Sequence, residues 1–129
     1  MTLRFGGKRI LVTGAGKGIG RDLVIRLSGE GATVVALSRQ ASDLESLSAE
    51  TGCETIMVDL EDVEAAAGHV QRVLPIDMLV NNAGILHLEP ALQTSMKHFS
   101  STLAVNTLAP LRLAPVSYTH LTLPTKRIV

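Results

Sequence analysis

Short, uninterrupted apolar runs alternate along the chain with segments whose apolar residues recur every three or four positions. Uninterrupted runs are typical of strands buried on both faces, and the longer spacing is typical of amphipathic helices. We predict four strands, at residues 9–13, 33–38, 54–58 and 77–81. A helix is predicted to follow each strand, beginning near residues 19, 42, 61 and 94. This succession of βα units favours an α/β fold with a doubly wound parallel sheet.

The predicted helix ends depend on residues that favour helix termini. Ser42, with Glu45 three residues later, fits a capping box at the start of the second helix, and Gly52 suits its end. Asp62 lies among acids that favour the start of the third helix, and Pro75 ends that helix. The first helix has at helical spacing the apolar residues Ile19, Leu23, Val24 and Leu27. The fourth carries on one face Met96, Phe99, Leu103, Asn106 and Pro110.

Composition narrows the class of protein. The chain has 129 residues, enough for one domain, and 46% of them are hydrophobic, which excludes wholesale disorder. Twelve basic residues balance twelve acidic ones, so we expect no nucleic acid or membrane as a partner. The single cysteine, Cys53, excludes an intrachain disulfide and fits a reducing, cytoplasmic setting. No apolar window approaches the ~18 residues of a membrane span, so we expect a soluble protein.

The histidines give no sign of a metal centre. They do not pair at metal-ligand spacing on one helix, and no cysteine lies near them in the sequence. We interpret them as surface residues and expect no metal. The four are His69, His87, His98 and His120.

A glycine-rich segment joins the first predicted strand to the first predicted helix. Glycine lets the backbone turn tightly and lets main-chain N–H groups approach a phosphate, which the positive end of a helix attracts. The spacing G-x-x-x-G-x-G between a strand and a helix predicts a dinucleotide-binding site. Together with the succession of about four βα units, it favours an incomplete Rossmann-type sheet with strand order 3-2-1-4. The expected cofactor-binding residues of this segment are Gly14, Gly16, Lys17, Gly18, Ile19 and Gly20.

The end of the second predicted strand indicates which dinucleotide binds. An acid there would hold the ribose hydroxyls of NAD, whereas arginine suits the additional phosphate of NADP. Ser38 and Arg39 occupy the position, and the next acid is Asp43. Lys17 adds a second cation. We therefore predict NADP(H); a solvated surface role for Arg39, and with it an NAD-dependent enzyme, remains the alternative.

These residues resemble the short-chain dehydrogenase/reductase family. Asp59, followed by Leu60, is similar to the acid that holds the adenine ring in that family. The segment at residues 81–84, Asn-Asn-Ala-Gly, resembles the family segment beside the cofactor, which implies binding roles for Asn82, Ala83 and Gly84. Asn106 resembles the asparagine of the family's Asn-Ser-Tyr-Lys catalytic set and could hold a water of a proton relay.

Within the family, the amino-acid sequence resembles the dicarbonyl/L-xylulose reductases most in four segments, residues 9–21, 34–39, 58–60 and 77–83. The resemblance implies NADPH-dependent reduction of a small carbonyl substrate, a ketose or dicarbonyl, by a homotetramer. The full-length parent would then be the enzyme. A non-catalytic dinucleotide-binding module is the competing class of function.

The family's tyrosine–lysine pair is not found at its usual spacing. Tyr118 is the single tyrosine, and Thr122, not lysine, stands four positions later; Lys126 is too far along a helix to pair with it. We therefore expect the chain by itself to be inactive. Residues 116–129 resemble translated read-through of a sequencing adapter. We expect residues 1–115 to be the N-terminal part of a dinucleotide-binding domain and residues 116–129 to be a non-native tail.

Overall fold

The apolar runs form one parallel sheet, and its strand order β3-β2-β1-β4 confirms the prediction. The computed structural model describes residues 3–118, with Tyr118 described in its backbone alone. Register is regular: Leu11 lies opposite Val35 on one side and opposite Leu79 on the other. The strands are β1 (Arg9–Thr13), β2 (Thr33–Ser38), β3 (Glu54–Met57) and β4 (Met78–Val80).

Helices follow each strand, as predicted, but the last helical stretch is divided. A 3₁₀ turn and a π-helical turn precede and follow α4, respectively. The elements are α1 (Gly18–Gly29), α2 (Ala41–Thr51), α3 (Val63–Arg72), the 3₁₀ turn (Ala91–Gln93), α4 (Met96–Leu103), the π turn (Ala104–Leu108) and α5 (Ala109–Tyr118).

Both faces of the central strands β1 and β2 are covered, which explains why these strands are apolar at successive positions. Ile10 and Val12 of β1 point to a core with Val24 of α1 and Leu47 of α2. Leu11, between them in sequence, points to the opposite core, which α3 and α5 cover. Alternate residues of a strand face opposite sides, so a doubly covered sheet needs apolar side chains at both.

The predicted capping box at the start of α2 is wrong. The helix begins one residue before Ser42, at Ala41, and its N-cap residue is Gln40, which makes no side-chain cap. Ser42 is therefore inside the first turn, where a hydroxyl cannot cap. Gly52 ends the helix with φ of 74°, a left-handed conformation that glycine adopts without strain. The start of α3 is as predicted, because the Asp62 carboxylate accepts a hydrogen bond from the Ala65 N–H at 3.1 Å.

The face expected for the fourth helix is exposed rather than packed on the sheet. Met96 is 74% exposed and Phe99 55% exposed, whereas Ser101, Val105 and Ala109 are buried. Helical structure continues through Pro110 into α5. The Ala109 N–H donates to the Ala104 carbonyl, five residues back, so a π turn absorbs one extra residue. An extra residue rotates the helix face by about 100°, so a stripe predicted from a regular 3.6-residue spacing no longer applies beyond the π turn.

Candidate cofactor site

A cleft of about 460 Å³ opens where the parallel strands end at their carboxyl termini. In open α/β sheets this is the edge at which ligands bind. The cleft is lined by the segments that follow β1, β2, β3 and β4, by the last two residues of β2, and by one residue each of α1, α2 and the π turn. The lining residues are Gly14, Gly16, Lys17, Ile19, Leu37, Ser38, Arg39, Gln40, Asp43, Val58, Asp59, Leu60, Asn82, Ala83, Gly84, Ile85 and Val105.

The glycine segment between β1 and α1 passes too close to its neighbours for side chains. A Cβ on Gly14, whose φ is +63°, would lie 2.7 Å from the Ala83 Cα. A Cβ on Gly20 would lie 2.2 Å from the Gly14 carbonyl oxygen. Gly18 also has a left-handed φ, of +60°, but it faces open space and forms the first residue of α1. Gly14 and Gly20 thus permit close packing, while Gly18 leaves the N-terminus of α1 open to a ligand.

Hydrogen bonds join the glycine segment to the loop after β4. The buried Thr13 hydroxyl accepts from the N–H groups of Asn82 and Ala83, each at 3.1 Å. The Asn82 side-chain amide donates to the Gly14 carbonyl at 3.2 Å. Two loops that are distant in sequence are thereby held in one arrangement at the floor of the cleft.

Positive charge collects at the end of β2, on one side of the cleft. Lys17 is 80% exposed and lies 3.8 Å from the carboxylate of Asp43. Arg39 is exposed, lines the cleft and takes part in no ion pair among residues 3–118. Ser38 lines the same cleft, and its hydroxyl accepts from the Gln40 N–H at 3.3 Å. Two cations beside a hydroxyl match the groups that bind a phosphate monoester.

Asp59 and Leu60 lie at the end of β3, on the wall where the sequence places them. One carboxylate oxygen of Asp59 accepts the Glu61 N–H at 2.9 Å, which fixes the turn into α3. Leu60 is buried and packs with the α3 side of the core. Binding of an adenine ring by Asp59 stays a prediction.

Asn106 lies in the π turn and reaches the loop after β4. Its side-chain amide donates to the Ile85 carbonyl at 2.9 Å and accepts from the Ile85 N–H at 2.8 Å. Its Oδ1 would be 3.6 Å from a Cβ on Gly84. Asn106 does not line the cleft itself. It hydrogen-bonds to Ile85, which does line the cleft. Its expected part in a proton relay is not tested by these contacts.

Most of the predicted cofactor-binding residues share this one cleft. Gly18 and Gly20 are the exceptions, because one faces open space and the other packs on Gly14. Ile19 was expected on the buried face of α1 but is 80% exposed and lines the cleft. Sequence reasoning missed several lining residues that carry no motif, although position next to a strand end could have suggested some of them. These are Leu37, Gln40, Asp43, Val58, Ile85 and Val105.

A second group of polar side chains lies where the segment after β4 returns to α4. The rings of His87 and His98 stack with centroids 4.1 Å apart, and Glu89 contacts the Nδ1 atom of His98. His87 is exposed, as expected, whereas His69 and His98 are partly buried. His87 and His98 lie on different elements, so histidine spacing within one helix could not predict that they meet. His120 lies outside the described residues.

Comparisons with known proteins agree with this architecture. Residues 8–126 match the family model described as short chain dehydrogenase. The chain is 45% identical over 117 residues to L-xylulose reductase of Bos taurus, covering 90% of this chain and 48% of the relative. It is 44% identical over 115 residues to D-erythrulose reductase of Gallus gallus, covering 88% of this chain and 47% of the relative.

A solved structure shows the same fold. The crystal structure of a short chain dehydrogenase from Burkholderia cenocepacia J2315, in complex with NADP, superposes with a TM-score of 0.86 at 32% identity. The match covers 92% of this chain and 52% of that one. The chain thus spans about half the length of the curated relatives it matches.

Proposed function

The chain belongs to the short chain dehydrogenase family, and we propose that it forms the cofactor-binding half of an NADP(H)-dependent oxidoreductase that reduces a ketose or dicarbonyl. The observation that carries the choice of cofactor is the pair of cations, Lys17 and Arg39, on the β2 side of the cleft. No acid occupies the place next to Ser38 where NAD-binding proteins hold the ribose hydroxyls. Asp43, the nearest acid, is already paired with Lys17.

The residues present fit the proposed cofactor. The N-terminus of α1, which begins at Gly18 and has Gly14 and Gly16 before it, offers main-chain N–H groups for a pyrophosphate. A Cβ on Gly16 would come within 2.8 Å of the Ser38 hydroxyl, so glycine keeps this part of the cleft clear. Lys17, Ser38 and Arg39 would bind the additional phosphate of NADP(H).

Further along the cleft, Asp59 and Leu60 would contact the adenine ring. Asn82, Ala83 and Gly84 would border the nicotinamide, since they line the cleft at the end of β4. When bound, NADPH supplies the hydride that reduces the carbonyl carbon. The side chain of Asn106 makes two hydrogen bonds to the backbone of Ile85 and so holds this lining residue in place. The substrate class rests on the relatives, two of which are named for reductases of L-xylulose and D-erythrulose.

The cofactor choice can be tested with Arg39→Ala. A hydrogen bond to a charged group contributes about 1.5–3 kcal/mol, so affinity for NADPH should fall by about 10–100-fold while NADH binding is unchanged. Arg26→Ala is the matched control, because Arg26 is 77% exposed and pairs with Asp22 on α1. Arg39→Asp should also improve NADH binding, since an acid accepts from the ribose hydroxyls. Quenching or enhancement of nicotinamide fluorescence measures both affinities, and undiminished NADPH binding by Arg39→Ala would exclude the proposed role.

A second candidate is a non-catalytic dinucleotide-binding module. It describes the chain as given, which has no Tyr-x-x-x-Lys pair: Tyr118 is the single tyrosine, and Thr122 stands four residues after it. Both proposals expect this chain to bind NADPH without oxidising it in the presence of L-xylulose or a dicarbonyl. They differ downstream: the reductase requires a serine and a Tyr-x-x-x-Lys pair in the continuing reading frame, and the module does not. Sequencing the full-length transcript separates them.

The domain boundary is also proposed, with native sequence in residues 1–115 and a non-native tail in 116–129. It rests on the resemblance of residues 116–129 to adapter read-through, while the family-model match at residues 8–126 extends into that tail. The Ser117 hydroxyl is buried and has no hydrogen-bond partner among the residues described. A native transcript that encodes these residues would contradict the boundary.

For the complete protein we propose a homotetramer in the cytoplasm. Apolar side chains exposed along α4, Met96 and Phe99 among them, support contact between copies. Cys53 is buried and free, which suits a reducing compartment. No helix within residues 3–118 is long and apolar enough to cross a membrane.

A further inference from the structure

Three potential metal ligands meet at the surface, outside the cofactor cleft. One ligand atom each from His87, Glu89 and His98 lies within 4.8 Å of the others. Glu89 uses one carboxylate oxygen to contact the His98 Nδ1 atom and the other to accept the Ser95 N–H at 3.2 Å. Neither the dinucleotide site nor the proposed reaction uses any of these side chains.

Two of the three ligands are held in place by the beginning of α4. Ser95 is the N-cap residue, and its hydroxyl accepts the His98 N–H at 3.1 Å, which fixes the backbone of the first turn. The same residue's N–H positions Glu89. The Glu89 side chain is 19% exposed and that of His98 42% exposed, so both are partly withdrawn from water but open to an entering ion.

The spread of ligand atoms is close to what an ion needs. Zinc binds imidazole nitrogen and carboxylate oxygen at about 2.0–2.2 Å, so two ligand atoms of one tetrahedral ion are about 3.3–3.6 Å apart. The three ligand atoms lie within 4.8 Å of one another and must therefore come closer together through rotation of their side chains. The two imidazole planes differ by 4°, so their lone pairs are side by side and one ring must turn. His87 is the exposed member and has the freedom to do so.

The donor set selects the class of metal. Two imidazoles and one carboxylate suit zinc, copper, nickel and cobalt, whereas magnesium and calcium prefer oxygen ligands alone. We propose that His87, Glu89 and His98 bind one divalent transition-metal ion of the zinc class, with water completing its coordination. Such an ion would join the segment after β4 to the first turn of α4.

The test is a titration of the purified, chelator-treated chain with zinc chloride, measured by isothermal titration calorimetry. We expect one zinc ion per chain, a rise in thermal midpoint with zinc concentration, and no competition from magnesium. Cobalt(II) serves as a second probe, because its visible absorption reports coordination by nitrogen and oxygen. His87→Gln should weaken zinc binding by at least about 10–100-fold, the loss seen when even a hydrogen-bond partner of a metal ligand is removed.

His69→Gln is the matched control, because His69 lies on α3 and outside the cluster. It should bind zinc as the unmodified chain does. His87 is exposed, so its replacement leaves the fold intact, which circular dichroism verifies for every variant. Equal zinc affinity in the unmodified chain and His87→Gln would overturn the proposal. So would a folded chain that binds neither zinc nor cobalt, in which case the cluster is an acid–histidine pair at a helix start.

Discussion

Replacement of Gly20 by alanine is the sharpest test of how the glycine segment is built. The added Cβ would lie 2.2 Å from the Gly14 carbonyl oxygen and 2.5 Å from the side-chain nitrogen of Asn82. Both atoms belong to one hydrogen bond, which joins the two loops at the floor of the cleft. The carbonyl is part of the backbone, so rotation of a flexible side chain cannot relieve the contact.

The expected cost follows from these contacts. Overpacking costs about 1–3 kcal/mol and loss of the Asn82–Gly14 hydrogen bond about 0.5–1.5 kcal/mol. Alanine is favoured over glycine inside a helix by about 1 kcal/mol, which offsets part of the loss. The net decrease in the free energy of unfolding should be about 1–3 kcal/mol, a substantial share of the ~5–15 kcal/mol typical of a domain.

Urea unfolding and NADPH fluorescence together measure the effect. Gly29→Ala is the control, because Gly29 lies in the same helix and nothing is within 4 Å of its added Cβ. We expect Gly29→Ala to retain cofactor binding and stability, and Gly20→Ala to lose both. If the two variants unfold at the same urea concentration and bind NADPH equally, the argument from close packing is refuted.

Four further substitutions test other parts of the structure. Thr13→Val keeps the shape but removes the hydroxyl that accepts two N–H groups, so urea unfolding should show a loss of about 1–3 kcal/mol; no change would mean that water replaces it. Asn106→Ala frees the Ile85 backbone, and the Ile85 amide should exchange with deuterium faster; unchanged protection would contradict the contact. Asp62→Ala removes the cap of α3 and should cost about 0.5–2 kcal/mol in thermal unfolding, whereas Ser42→Ala should change stability by less than about 0.5 kcal/mol. A larger loss of stability in Ser42→Ala would mean that Ser42 caps α2 after all.

Local patterns predicted those features that depend on neighbouring residues. The run at residues 9–13 is apolar because both faces of β1 are covered, and this is visible without knowing what covers them. The glycine spacing predicted a tight turn before α1, and Gly14 and Gly18 have the left-handed φ that such a turn needs. Ser38 was predicted from its place at the end of the second strand and Asp59 from the family resemblance, and both line the cleft at the carboxyl edge of the sheet.

Other predictions failed where position in three dimensions decides. Ile19 has the right spacing for the core of α1, yet it is the residue at which the helix meets the cleft. Met96 and Phe99 follow an apolar stripe, but the side of α4 that packs inward is the one carrying Ser101. The π turn begins only at Ala104, after both residues, so it does not set their exposure; the spacing predicts an apolar stripe but not which side of α4 packs on the rest of the protein.

The sequence by itself determined the order of strands and helices, the glycine turn and the strand ends at which the cleft would form. These depend on local hydrophobic period and backbone freedom, which act over a few residues. Only the tertiary structure decided that Asn106 holds Ile85, across 21 residues, and that His87 lies against His98. Such pairs depend on how whole elements pack, because the apolar surface that brings the elements together belongs to residues other than those in the pair.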